Sequence, residues 1–165
     1  MIELVDYPGS SYTNVEDSLR DPIPAGGEKK VQVTNMTVGA APEYVKMRAA
    51  IYADGTTSGV PEKVELLMAR RRARLGTARE LIGRLEKAKA AGSSKDSAIA
   101  ALKQWFASLQ PARRPAPGAR EAMVQSASSG LVSHTIKTLD AGSIEDALIE
   151  LRGAERDLAA SKPAL

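Results

Sequence analysis

The sequence predicts a mainly α fold: two tight helical hairpins forming a small bundle, preceded by a long extended N-terminal arm with one short β-strand. Three observations predict it. Apolar residues recur at helical spacing from Val60 to the end, proline and glycine crowd the first 42 residues, and two turn segments that share Ala, Gly, Ser, Asp and Ile at matching places lie 50 residues apart.

Residues 1–42 form the arm, because Pro8, Gly9, Pro22, Pro24, Gly26, Gly27, Gly39 and Pro42 interrupt any long helix. Within it, Val31, Val33 and, after a polar Asn35, Thr37 alternate, predicting a strand over 30–38 whose Val31, Val33, Met36 and Val38 are candidates for addition to a neighbouring sheet. Residues 43–109 are expected to hold a short helix over 43–53, with Tyr44, Met47 and Ile51 on one face, and then the first hairpin. Its long helix runs from Pro61 to about Ala91. Positions 64, 68, 71, 75, 78, 82, 85 and 89 step by four and three, and six of these eight residues are apolar. Pro61 suits a first helical turn, where its missing N–H costs nothing. The second helix spans 94–109 on Ile99, Leu102, Phe106 and Leu109, with Trp105 beside them. Residues 110–118 are a proline-rich linker, and residues 119–160 the second hairpin. The third helix, 119–140, has a poor stripe, diluted by Ser126-Ala127-Ser128-Ser129-Gly130, while the fourth, 143–160, is carried by Ile144, Leu148, Leu151 and Leu158. Residues 161–165 are a tail.

The segments 91–99 (AGSSKDSAI) and 141–149 (AGSIEDALI) echo each other. In each, the glycine (Gly92, Gly142) is expected in a left-handed helix-ending conformation, followed by a serine cap and an aspartate three residues on: Ser93 with Asp96, Ser143 with Asp146.

Composition bounds the function. Of 165 residues 43% are apolar, but 27 are Ala, and Leu, Ile, Val and Phe together number 34, so the core is thin and stabilisation by assembly is expected. No run approaches a membrane span, and the N-terminus lacks the basic-then-apolar pattern of a secretory signal. With no Cys there is neither a disulfide framework nor a thiolate metal site. A cytoplasmic setting, or a cytoplasmically assembled particle such as a virion, is expected.

Catalytic constellations are scarce, and the chain is expected not to be an enzyme. His134 is the single histidine, and its neighbour Ser133 points about 100° away on a helix, too far round for a nucleophile–base pair. Glu16-Asp17 fits a solvated surface pair, and Glu145-Asp146 a helix first turn. GGEKK (26–30) lacks phosphate-loop spacing. No cofactor, metal or small-molecule substrate is expected.

Charge supplies the strongest chemical feature. Residues 61–120 carry a net +9, and the flanking segments 1–60 and 121–165 each carry −3. Arg70, Arg71, Arg72, Arg74, Arg79 and Arg84 lie on one predicted helix, where they can meet phosphates or acidic protein surfaces. They spread around the helix rather than forming one stripe, which favours neutralisation by acidic patches on two sides, including Glu145, Asp146, Glu150, Glu155 and Asp157. Arg71 sits in the apolar seam, either snorkelling out of it or selecting a register. The expected function is that of a non-catalytic structural or assembly protein. Its expected partners are copies of itself or other subunits, a bacteriophage particle being a compatible setting. The alternative is a nucleic-acid-binding or packaging accessory using helix 68–89.

Overall fold

The computed structural model describes residues 1–6, 11–15, 23, 24, 26–28, 30, 42–109, 115, 116 and 118–165. The chain divides into two compact units: Met1–Leu67 with Ser161–Ala164, and Met68–Ala160 with Leu165. The fold is mainly helical, with a strand-containing N-terminal region.

In the first unit β1 (Ile2–Asp6), β2 (Ser11–Asn14) and β3 (Pro42–Met47) form an antiparallel sheet in the order β2-β1-β3. β1 pairs Ile2 with Asn14 on one side and with Met47 on the other. Pro42, which has no N–H to donate, takes the first position of β3, where a strand tolerates it. The Met1 ammonium donates to the Ala49 carbonyl at 2.7 Å, and Glu3 pairs with Arg48 at 3.2 Å. β4 (Ala49–Ile51) and β5 (Thr57–Gly59) make a second, two-stranded ladder. Its loop is closed by Asp54, which accepts from the Thr56 amide at 2.9 Å and hydroxyl at 2.7 Å.

Two expectations are corrected here. The short helix over 43–53 is absent, and β3 and β4 take its place. An uncapped helix of that length is marginal, whereas Tyr44, Val45, Ile51 and Tyr52 suit a pleated ladder once partners exist. The arm also holds more strand than the single one expected, since Ile2 and Leu4 alternate around Glu3 in a segment too short to stand out alone. The strand expected at 30–38, with Val31, Val33, Met36 and Val38, lies outside the described residues apart from residue 30, as does most of the 110–118 linker.

The helices are α1 (Pro61–Ala90), α2 (Lys95–Ser108), α3 (Arg120–Ala141) and α4 (Ile144–Ala159). At 1.5 Å per residue α1 is about 45 Å long, and its first seven residues belong to the first unit. In the second unit one core draws on all four helices. Ala78, Leu81 and Leu85 come from α1, and Ala98, Ile99 and Leu102 from α2. Leu131, Val132 and Leu139 come from α3, and Ala147, Leu148 and Leu151 from α4. Trp105 and Phe106 pack against this cluster half-buried. Thr135 is buried in α3 with its hydroxyl satisfied by the Leu131 carbonyl at 2.9 Å.

The two echoed turns differ in construction. After α1, Gly92 is left-handed (φ +65°), Ser93 N–H donates to Ala88 O at 2.9 Å and Gly92 N–H to Lys89 O at 3.0 Å. This pair of bonds is a Schellman ending, and it engages the Ser93 amide. The cap of α2 therefore falls one residue later than expected. It is Ser94 that accepts from the Ser97 amide at 3.2 Å, and Asp96 lies in the first turn. Between α3 and α4 only two residues intervene. Ser143 is the cap, its hydroxyl accepting from the Asp146 amide while the Asp146 carboxylate accepts from the Ser143 amide and hydroxyl. Gly142 is not left-handed (φ −135°), contrary to expectation. Its lack of a side chain matters because a Cβ there would lie 2.9 Å from Asp146 Oδ2.

Glycine substitutions should separate by site. Gly76 and Gly83 lie within α1 with open space where a Cβ would go, so Gly76→Ala and Gly83→Ala should each stabilise by up to about 1 kcal/mol. Gly59 has φ +107° and a Cβ there would stand 2.3 Å from the Arg48 carbonyl, so Gly59→Ala should destabilise by about 2 kcal/mol or more. Thermal unfolding of the three variants checks both signs.

Candidate functional site

Helix α1 distributes its arginines to different surroundings. Arg71 points into the packed side of the helix and is buried, 7% exposed, so the seam retains it instead of releasing it to solvent. It has an interaction partner. Arg72 faces outward. Arg84 lies over the Trp105 ring at 4.4 Å from its centroid, a cation–π contact joining α1 to α2, and pairs with Glu80 one turn earlier at 3.5 Å.

The C-terminal half of α1 is matched to α4. Arg79 pairs with Glu155 at 3.0 Å, Glu86 with Arg152 at 2.8 Å, and Lys89 with Glu145. Partner numbers fall along α4 as they rise along α1, so the two helices run antiparallel. The signs alternate plus, minus, plus on α1 against minus, plus, minus on α4. Each exposed pair contributes little stability. The pattern acts on register: sliding α4 by about one turn would bring Arg79 towards Arg152 and Glu86 towards Glu145. Neutralisation of the basic helix by the acids of α4 is thus present at Glu145 and Glu155.

The N-terminal half meets α3. Nη1 of Arg70 donates to the Met123 carbonyl and, at 3.0 Å, to the Ser126 hydroxyl. Arg70 and Arg74 form one wall of a cleft of about 240 Å³, whose opposite wall is Ser126, Ala127, Gly130, Leu131 and His134. Among the described residues the lining contains two guanidinium groups, an imidazole and a hydroxyl. His134 Nε2 lies 2.6 Å from Glu150 Oε1, and the other Glu150 oxygen accepts from Thr138 Oγ1 at 2.9 Å, so α4 orients the ring from outside the lining.

The six arginines singled out by sequence are therefore divided. Arg70 and Arg74 converge on α3, Arg79 and Arg84 are held by α4 and α2, Arg71 enters the core side, and Arg72 stays outside. Ser126, Gly130 and His134 were not anticipated as a set, although their spacing of four and four places them on one helical face. Of the residues that dilute the stripe of α3, Ser126 and Gly130 line the cleft with His134, while Ala127, Leu131, Val132 and Leu139 are buried.

No family model, curated protein or solved structure matches the chain. Among the described residues no helix is long and apolar enough to cross a membrane, and no group of three or more His, Cys, Asp or Glu side chains is placed to hold a metal ion.

Two carboxylates at the start of α4 are held below their usual range: Glu145 by the hydrogen bond and charge of Lys89, and Asp146 by the hydroxyl and amide of Ser143. A carboxylate with a lowered folded-state pKa contributes stability above its unfolded value, and that contribution is lost as pH falls through the folded value. Ser143→Ala should therefore lower the melting temperature by a few degrees at neutral pH. The gap from wild type should narrow as pH falls below the ordinary aspartate range and through the lowered value of Asp146, which melting curves over a pH series would check.

Proposed function

We propose that the chain is a non-catalytic assembly protein that docks into a larger complex, as multiple copies of itself or beside other subunits, through its N-terminal region and helical faces. A bacteriophage virion is a compatible setting. The observation that carries this reading is the exposure of β3. Tyr44, Val45 and Met47 are 50%, 58% and 56% exposed, and Tyr52 is 49% exposed. Successive strand residues point to opposite faces, so both faces of β3 lie open among the described residues, whereas an antiparallel sheet ordinarily buries one. Among the described strands β3 pairs only with β1. An open, apolar strand is the surface that strand addition uses. Charge favours a second copy as the occupant, because the −3 of residues 1–60 complements the +9 of residues 61–120.

Sedimentation velocity of the full chain at micromolar concentration should show an oligomer, and Tyr44→Lys combined with Val45→Lys should shift it towards monomer without loss of helical circular dichroism. A wild-type monomer whose residues 1–60 resist protease would overturn the proposal.

A second reading, contact with nucleic acid, is favoured by the exposure of Arg72 and by the two arginines, Arg70 and Arg74, that line the cleft between α1 and α3. Such contact would rest on phosphates, since Trp105 and Phe106 are engaged within the bundle and offer no stacking platform. Replacing Arg70, Arg72 and Arg74 together should then weaken DNA or RNA binding and flatten its salt dependence. Absence of binding by the intact chain at low salt would retire this reading.

A further inference from the structure

We infer that β3 joins two copies of this chain into one continuous sheet, each β3 running antiparallel to the other with Val45 opposite Val45 of the second copy. This rests on the strand-addition reading above and specifies the partner strand and its register. β3 stands at the edge of the order β2-β1-β3, and among the described residues its one ladder is with β1. Its second edge carries the N–H and C=O groups with which an added strand pairs. Along that strand Tyr44, Val45, Lys46 and Met47 are all exposed.

Symmetry restricts the register. Residues of an antiparallel pair stand directly opposite one another. In a twofold pairing of identical strands residue i faces j and j faces i, and one residue on the axis faces its own copy. A centre at Lys46 sets two ammonium groups opposite each other, which is destabilising. A centre at Tyr44 brings Pro42, which has no N–H, into the ladder opposite Lys46. Centres nearer either end of the strand pair fewer residues. A centre at Val45 avoids all three faults. Residues 43–47 of the two copies then pair, and Pro42 falls outside the ladder. Val45 faces Val45, a β-branched pair, and on each side of the axis Tyr44 faces Lys46 of the other copy, an aromatic ring beside an ammonium.

The register of the existing sheet continues into this arrangement. Val45 stands opposite Leu4 of β1, and Leu4 opposite Tyr12 of β2, so apolar positions run in line across the strands and meet at the Val45 pair. Lys46 stands opposite Glu3 of β1 and takes Tyr44 of the second copy on its other side. Residues 42–47 hold one acidic and one basic residue, so two copies of the strand approach without net repulsion. Self-complementarity of this kind singles out a second copy over a partner of unrelated sequence.

The chain has no cysteine, so single introduced thiols read the register directly. Strand residues directly opposite each other lie within the Cα separation of a disulfide, and residues displaced by two along the partner strand lie beyond it. Under mild oxidation of the full chain, Val45→Cys should form disulfide dimers about tenfold faster or more than Ile149→Cys, an exposed position on α4 that reports random collision. Tyr44→Cys and Lys46→Cys should each link slowly alone and rapidly when mixed in equal amounts, which keeps the test decisive if replacing Val45 disturbs the strand. Sedimentation velocity of the wild-type chain distinguishes the two ways of failing. A monomer overturns strand addition and this pairing together. An oligomer in which Val45→Cys links no faster than Ile149→Cys, or in which Tyr44→Cys alone links as fast as Val45→Cys, overturns the β3 pairing and leaves assembly through another surface standing.

Discussion

Burial of a small set of leucines is the constraint on which the helical unit depends. Leu81, Leu85, Leu102, Leu139, Leu148 and Leu158 are almost completely buried, with Val132, among helices otherwise rich in alanine. Alanine favours the helical backbone but removes little surface from water. Each leucine therefore carries a large share of the packing, and helices with narrow stripes must bring those stripes to a common centre. All four helices contribute to one cluster, and none could bury its stripe alone.

A core made of similar residues specifies burial better than it specifies register. Polar features supply the difference. The alternating ion pairs between α1 and α4 penalise a slide of one turn, the stacked pair Arg84–Trp105 locates α2, and the Lys95 ammonium donates to the Asp140 carbonyl at the C-terminal end of α3 at 3.0 Å. The turn chemistry fixes where each helix starts. Ser143 and Asp146 satisfy each other's backbone within a two-residue connection, whereas the Schellman ending of α1 adds one residue before the cap of α2.

The same economy shapes the candidate site. Between α1 and α3 most of the lining residues are small or polar, with Leu131 among them, and the helices enclose a cleft beside the leucine core. The arginine block is divided: in the second half of α1 Arg79 and Lys89 pair with Glu155 and Glu145 of α4, and in the first half Arg70 and Arg74 line the cleft with α3. In the first unit, β3 poses a different physical problem, since among the described residues its apolar side chains Tyr44, Val45 and Met47 are exposed.

The sequence by itself determined the helical architecture. Periodicity placed all four helices within a residue or two of their ends, because a stripe repeating at 3.6 residues has few other ways to be buried. It also made the cap at Ser143 legible, since that chemistry is local. Tertiary structure decided what depends on distant partners. Residues 43–53 became strands because β1 was there to pair with Pro42–Met47, and Ser94 replaced Ser93 as cap because the preceding turn used the Ser93 amide. The fates of six neighbouring arginines, and the meeting of Arg70 and Arg74 with Ser126, Gly130 and His134 more than 50 residues away, were settled by helix packing. A local pattern states which face a residue occupies, and only the packed bundle states what that face meets.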